Sequence, residues 1–180
     1  MHDFQTIIDF WFLVTDPQSW WKKDTAFDQL IRQCFSVIHQ SAIFCELAEW
    51  RTESLGKLSE IIVLNQFSRN IYRDDPRAFA DNALALALAQ EAINNGIDKT
   101  LLPDKKLSLY MPFMHSESKI IHEIALTLFR LPGLLSNYKF EFKHKAIFDC
   151  YRRYPHRNKI LRRQSTDEEI SFLEQPDSSF

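Results

Sequence analysis

Phe27, Leu30, Ile31, Cys34, Phe35 and Ile38 fall at the i, i+3, i+4, i+7 spacing of one helix face, sustained over three turns. A strand cannot use that spacing, because its side chains alternate faces at every residue. The same period returns at Phe4, Ile7, Ile8, Trp11 and Phe12, at Leu55, Leu58, Ile61, Ile62 and Phe67, and at Ile120, Ile121, Ile124 and Leu128. Only three glycines in 180 residues leave little room for the tight turns of an all-β chain. The sequence therefore predicts an all-α fold.

The punctuation places the ends. Asp16-Pro17 stops the first helix, and Asp24 caps the second. A third runs from about Glu53 to Arg69. Asp75 then caps, with Pro76 at the first helical position, a helix from Arg77 to Asn95 that Gly96 ends. Alanines at 83, 85, 87 and 89 let neighbours approach that helix from several sides, so it is expected to be central. A short piece opens at Pro103-Asp104 and is expected to stop at Pro112. Ser116 or Ser118 opens a helix through Arg130, with Ile120, Ile121, Ile124 and Leu128 inward, and Leu131-Pro132-Gly133 breaks it. A helix from about Asn137 to Tyr151 is expected to bury Phe140, Ile147, Phe148 and Tyr151. Thr166-Asp167-Glu168-Glu169 fits a capping box that starts the last helix, to about Glu174. The sum is about eight helices in successive antiparallel pairs, either a TPR-like helical array or a compact bundle. They form a single helical domain over residues 1–175, followed by a loose tail at 176–180. Trp20 and Trp21, in the first loop, are expected to fold over the core.

A chain of this length is one domain, able to bury roughly 70% of its unfolded surface. The apolar fraction of 45%, with 15 Phe and 4 Trp, supplies the core. Cys34, Cys45 and Cys150 are odd in number and lack Cys-x-x-Cys spacing, which argues against a disulfide framework or a zinc site and fits a reducing compartment. The start, Met1-His2-Asp3-Phe4, has no basic region or cleavage site, and no apolar run reaches the ~20 residues of a membrane span. The expectation is a soluble cytoplasmic protein.

A net charge of −2 hides an asymmetry. Between Lys139 and Arg163, nine lysines and arginines face only Glu141 and Asp149, a local +7 on an otherwise acidic body. Such a block implies an anion site or internal pairing. Three polar stretches stand out: Asn65-Gln66-Phe67-Ser68-Arg69-Asn70-Ile71-Tyr72-Arg73, Tyr110-Met111-Pro112-Phe113-Met114-His115-Ser116-Glu117, and Tyr154-Pro155-His156-Arg157-Asn158 with Ser165-Thr166-Asp167-Glu168-Glu169. Val63-Leu64-Asn65-Gln66-Phe67-Ser68-Arg69-Asn70, with the second and third of these stretches, in this order and spacing, resemble the motif blocks of the bacterial domain of unknown function 924 family, over nearly the whole chain from Phe10 to Leu173. The resemblance implies a TPR-like helical fold and supplies no activity. The chain departs from the family pattern at Asn65, where Asp is usual, at Ser68, where Pro is usual, and at Arg162, where Gly is usual.

The three stretches are expected to converge on one polar cleft. There Arg69, Asn70, Arg73, His115, Glu117, His144, His156, Arg157 and Asn158 would hold a small anion, a phosphate or a carboxylate. Arginine suits such a ligand because its planar fork makes paired charge-assisted hydrogen bonds. Arg69 and Arg73, four apart, share a face if the helix persists to them. The alternative is a non-enzymatic TPR-like scaffold for a protein partner, in which Arg69, Arg157 and Arg163 pair with Glu117, Asp81, Glu168 or helix carbonyls and merely lock helices together. His156, after a proline, is the best candidate for proton transfer if there is catalysis. Ser165-Thr166 reads as a cap, since no base is placed beside it. His115-Ser116-Glu117 has the H-x-E of zinc deaminases but no Pro-Cys-x-x-Cys partner. A metal at His115, Glu117 and His122 lacks support from further ligands, and no metal or cofactor is expected. The basic block with Tyr151 and Tyr154 is a poor match to nucleic acid, because the whole chain is acidic and holds no such motif.

Overall fold

The structure, a computed structural model, describes residues 3–176 and 178. Every regular element among them is helical. In order these are α1 (Phe4–Asp9), α2 (Thr25–Ile43), α3 (Ser54–Ile62), α4 (Ser68–Ile71), α5 (Asn82–Asn94), α6 (Pro103–Met114), α7 (Lys119–Phe129), α8 (Leu135–Tyr151) and α9 (Asp167–Leu173), with short 3-10 and π segments between several of them. The π turn Val63–Phe67 joins α3 to α4 without a break, so the two form one rod and the count of about eight holds. The tail expected over 176–180 lies outside the described residues except for Pro176 and Ser178. Ser178 is buried, and its Oγ donates to the Leu173 carbonyl at 3.1 Å.

The caps form as their chemistry dictates. Asp24 accepts from the N–H groups of Ala26 and Phe27 at the head of α2, and Thr166 and Glu169 close a reciprocal capping box on α9. Gly96, at φ +73°, takes the left-handed position that stops α5. Fully buried Phe67, Tyr110, Phe113 and Phe129 anchor the interior, each contributing about 1.5–3 kcal/mol through burial. Ala85, Ala89 and Ala92 are buried where α5 meets α3 and α6, which is how the alanine run serves the core. Trp20 stacks on Trp11, centroids 5.4 Å apart, and donates its indole N–H to the Trp11 carbonyl, whereas Trp21 stays exposed.

Pro112 lies inside α6 rather than ending it. A proline here cannot donate to the Ser108 carbonyl one turn back, but Gln66 Nε2 donates to that oxygen at 3.0 Å and satisfies it. The helix expected from Arg77 is a 3-10 turn over Pro76–Phe79, capped by Asp75, and α5 starts only at Asn82. Two inward faces are rotated from expectation. On α7, Ile120 is 73% exposed while His122, Ala125 and Phe129 point in; on α8, Phe140 is 53% exposed while Glu141, His144, Ile147 and Phe148 point in. Buried histidine and glutamate side chains set the phase of these two helices, so the apolar period misplaces them.

Candidate functional site

The rod formed by α3, the π turn and α4 positions the first stretch. The Ser68 hydroxyl donates to the Leu64 carbonyl at 2.7 Å within the π turn and accepts from the buried His39 Nε2 at 2.6 Å. Beyond it the helix ends at Ile71, so Arg69 and Arg73 do not share a face. Arg73 and Asn70 turn to α2 instead, where Arg73 forks onto Asp28 and Asn70 Nδ2 donates to Asp28 Oδ1 at 2.8 Å. These two expected site residues tie α4 to α2. Arg69 and Asn65 face α5 and α6.

Several charges of the basic block are neutralised within the chain, Lys145, Arg153 and Arg163 among them. Arg152, at φ +62°, ends α8, and the 3-10 turn Pro155–Arg157 follows. Arg153 forks onto Glu169 at 2.6 and 2.7 Å. Asn158 Nδ2 donates to Ser165 and Glu169, and its oxygen accepts from Arg163 Nε. Arg163 also forks onto Glu117 at 2.7 and 3.1 Å, and the Tyr154 N–H donates to the same carboxylate at 2.8 Å. Burial pushes the Glu117 carboxyl up, yet Arg163, the Tyr154 amide and Arg157 outweigh it and hold it below its ordinary range.

Arg69 and Arg157 escape this pairing, and they meet. Their guanidinium carbons lie 5.1 and 4.9 Å from the centre of the same Phe79 ring. Arg157 also lies 4.3 Å over the ring of Tyr154 and donates to the His115 carbonyl at 3.1 Å. Its Glu117 contact is 4.0 Å long. Arg69 donates to Asn82 Oδ1 at 3.5 Å, and no carboxylate of the described residues comes within ion-pair distance of it. The Nε of each arginine is buried without a hydrogen-bond partner among the described residues. Burial opposes the charge on both guanidiniums, and for Arg69 the Arg157 charge adds to that opposition.

Beside them a cavity of about 340 Å³ is lined by Arg157, His115, Glu117 and Asn82, with an apolar wall that includes Phe79 and Leu86. Arg69 is not itself in this lining but contacts Phe79 and Asn82, which are. His115 Nδ1 meets Asn65 Oδ1 at 2.8 Å. Burial, then the Arg69 and Arg157 charges, push the His115 ring well below its ordinary pKa, so it is neutral. His144 and His156 flank Tyr154 at 5.7 and 5.6 Å between ring centres and do not line the cavity. Burial lowers them to about 3 and about 4, with Arg157 contributing to both. His156, expected to be the best proton-transfer group, is thus set behind the wall that His115 occupies. His122 bonds Glu141 through Nδ1 at 2.7 Å and Tyr154 through Nε2 at 3.0 Å, so both its nitrogens are engaged away from His115 and Glu117.

Phe79 and Asn82 are residues around the site that the sequence reading did not name, while Glu141, Tyr154 and His122 entered it only as an acid of the basic block, as a stacking residue and as a metal candidate. A phenylalanine and an asparagine near a turn carry no motif. Glu141 and His122 bore a faint signal, charged or polar side chains at positions where a helix period calls for apolar ones.

The model of a family described as "Bacterial protein of unknown function (DUF924)" matches residues 7–177. The chain belongs to this family. The DUF924 assignment agrees with the three blocks, all of which lie inside the matched range and two of which, with the end of the third, build the cavity and its back wall. A solved structure of the protein of unknown function ATU0120 from Agrobacterium tumefaciens is 33% identical, with a TM-score of 0.87, covering 95% of this chain and 96% of that one. No curated protein matches the chain. No helix of the described residues is long and apolar enough to cross a membrane.

Proposed function

We propose that this DUF924 chain binds a small anion, a phosphate or a carboxylate, in the cavity faced by Arg157, His115 and Asn82. One observation carries the reading: two guanidiniums share the Phe79 ring, and the nearby carboxylate, Glu117, is already forked by Arg163. An arginine keeps its proton in a protein. Two buried like charges therefore raise the energy of the empty site, and an anion that enters lowers it. Arg157 is the contact residue, and Arg69 adds its field from behind. Glu117, Asn158 and Arg163 hold the Arg157 turn in place. The arginines 153 and 163 of the basic block are matched by internal acids, which supports a buried small anion over a long polyanion.

Calorimetric titration with phosphate and with acetate at constant ionic strength tests the reading. Binding heat is expected for the wild type and absent for Arg157→Met, with the helical circular dichroism signal unchanged. A wild type without heat for either anion overturns it.

A second reading, the TPR-like protein-binding scaffold, draws support from a groove of about 360 Å³ lined by Ile93, Phe113, Ile124 and Leu128. Ile120, four residues from Ile124 on the same face, is exposed. This reading expects a protein partner whose binding Ile124→Glu abolishes while anion heats stay the same.

A further inference from the structure

Arg69 sets the polarity of a side-chain relay that ends at His115. A guanidinium only donates, so the Asn82 atom 3.5 Å from Arg69 Nη2 is its oxygen. That oxygen also accepts from Asn65 Nδ2 at 3.2 Å. The amide of Asn65 is thereby oriented with its oxygen toward His115 Nδ1, 2.8 Å away. Since that oxygen only accepts, His115 carries its proton on Nδ1. In a neutral ring Nε2 then presents a lone pair. His115 lines the cavity, and no hydrogen bond among the described residues engages Nε2.

The cavity thus offers three chemistries. Arg157 supplies positive charge, His115 Nε2 supplies an acceptor, and Phe79, Ala83, Leu86, Pro112 and Leu161 supply an apolar wall. A bare inorganic anion uses the first and leaves the wall wet. A simple carboxylate with an apolar body uses the first and third but leaves Nε2 without a donor. A ligand that brings no donor to Nε2 forgoes that hydrogen bond, which counts against it relative to one that does.

Resting on the anion-binding reading, we infer that the site selects an anion bearing a hydroxyl beside its charged group and an apolar substituent, a 2-hydroxy carboxylate being the simplest such class. His115 is the residue that recognises the hydroxyl, and Asn65 and Asn82 position it.

Three probes separate the elements: mandelate has the carboxylate, the hydroxyl and the ring; phenylacetate lacks the hydroxyl; glycolate lacks the ring. In calorimetric titration of the whole protein, mandelate is expected to bind about tenfold more tightly than either, the scale of one hydrogen bond or one modest apolar contact. In His115→Phe the preference for mandelate over phenylacetate is expected to vanish while phenylacetate still binds. Equal affinity of the wild type for mandelate and phenylacetate overturns this inference and leaves the anion reading standing. Absence of heat from these three and from phosphate overturns both. Because the wild-type comparison needs no variant, a misfolded His115→Phe does not blunt the test. In that case His115→Gln, whose side-chain N–H₂ and carbonyl are nearer the imidazole in polarity, is expected to bind both ligands with a preference well below tenfold. A preference retained in full by the folded variant overturns the role of His115.

Discussion

Asn65 and His115, fifty positions apart in sequence, meet oxygen to Nδ1 at 2.8 Å where the π turn faces the end of α6. The contact decides the protonation of the histidine beside the cavity. It also bears on the departure noted at Asn65, where the resemblance implies an aspartate. A carboxylate there would draw positive charge onto the imidazole, whereas the amide oxygen of Asn65 leaves it neutral.

Asn65→Asp is expected to raise the pKa of His115 and to weaken anion binding, because the new charge answers Arg69 and Arg157 from inside the protein. Histidine NMR titration and calorimetry check the two effects. An unchanged His115 titration would remove Asn65 from its positioning role.

Acid is expected to destabilise the fold well above the range where carboxylates titrate. His39 and His156, lowered to about 4, His144, lowered to about 3, and His115, lowered well below its ordinary value, are neutral in the folded chain, with burial the main cause in each. The unfolded chain takes up protons near pH 6.5. Their contribution is therefore fully present above pH 6.5 and is lost as pH falls toward 4, at up to about 1.4 kcal/mol per pH unit for each group. Glu141 and Asp81, whose carboxyls burial pushes up, work in the opposite direction but are fewer. A urea midpoint lower at pH 5 than at pH 7 is the expected result.

Two arginine truncations are expected to differ sharply. Arg51 forks onto Glu60 at 2.7 Å through both oxygens, and Glu60 is fully buried. Arg51→Met strands that carboxylate and is expected to lower stability by about 3–5 kcal/mol. Arg69→Met removes a cation that has no carboxylate partner and that the Arg157 charge opposes, and is expected to raise stability, by about 1 kcal/mol or more. Urea denaturation of the two variants, without added anion, makes the comparison.

Arg162 sits at φ +54°, in the left-handed region that favours glycine, the residue the resemblance implies here. Among the described residues its side chain makes no hydrogen bond or ion pair, and its amide bonds to the Lys159 carbonyl. Arg162→Gly is expected to stabilise the chain by up to about 1 kcal/mol, the strain released being partly offset by the freer unfolded glycine. A shift in the thermal midpoint of a few degrees upward is the readout.

The fold was legible because helix period and capping chemistry are local. Asp24, Thr166 with Glu169, and Gly96 each act within a few residues of themselves. The rotation of α7 and α8 was not legible, since His122 and Glu141 face inward to serve each other and Tyr154, a partnership that spans 19 and 32 positions. The convergence of Arg69, His115 and Arg157 could be expected from three polar blocks in a small helical domain. Which arginines find acids could not. That depended on Asp28 claiming Arg73 and Glu117 claiming Arg163, both long-range geometric outcomes. The placing of Pro112 inside α6 likewise depended on Gln66 reaching its freed carbonyl from another helix.

The π turn at Val63–Phe67 works as a phase offset in a single rod. An α-helix advances about 100° per residue, so rewinding these five residues as a regular α screw, with none removed, would swing everything beyond them by about that angle. Arg69 would leave Phe79 and Asn70 would leave Asp28 in the same motion. The anchoring of α4 on α2 and the placement of a cation behind the cavity thus share one mechanical origin, and neither can be altered at this turn without the other.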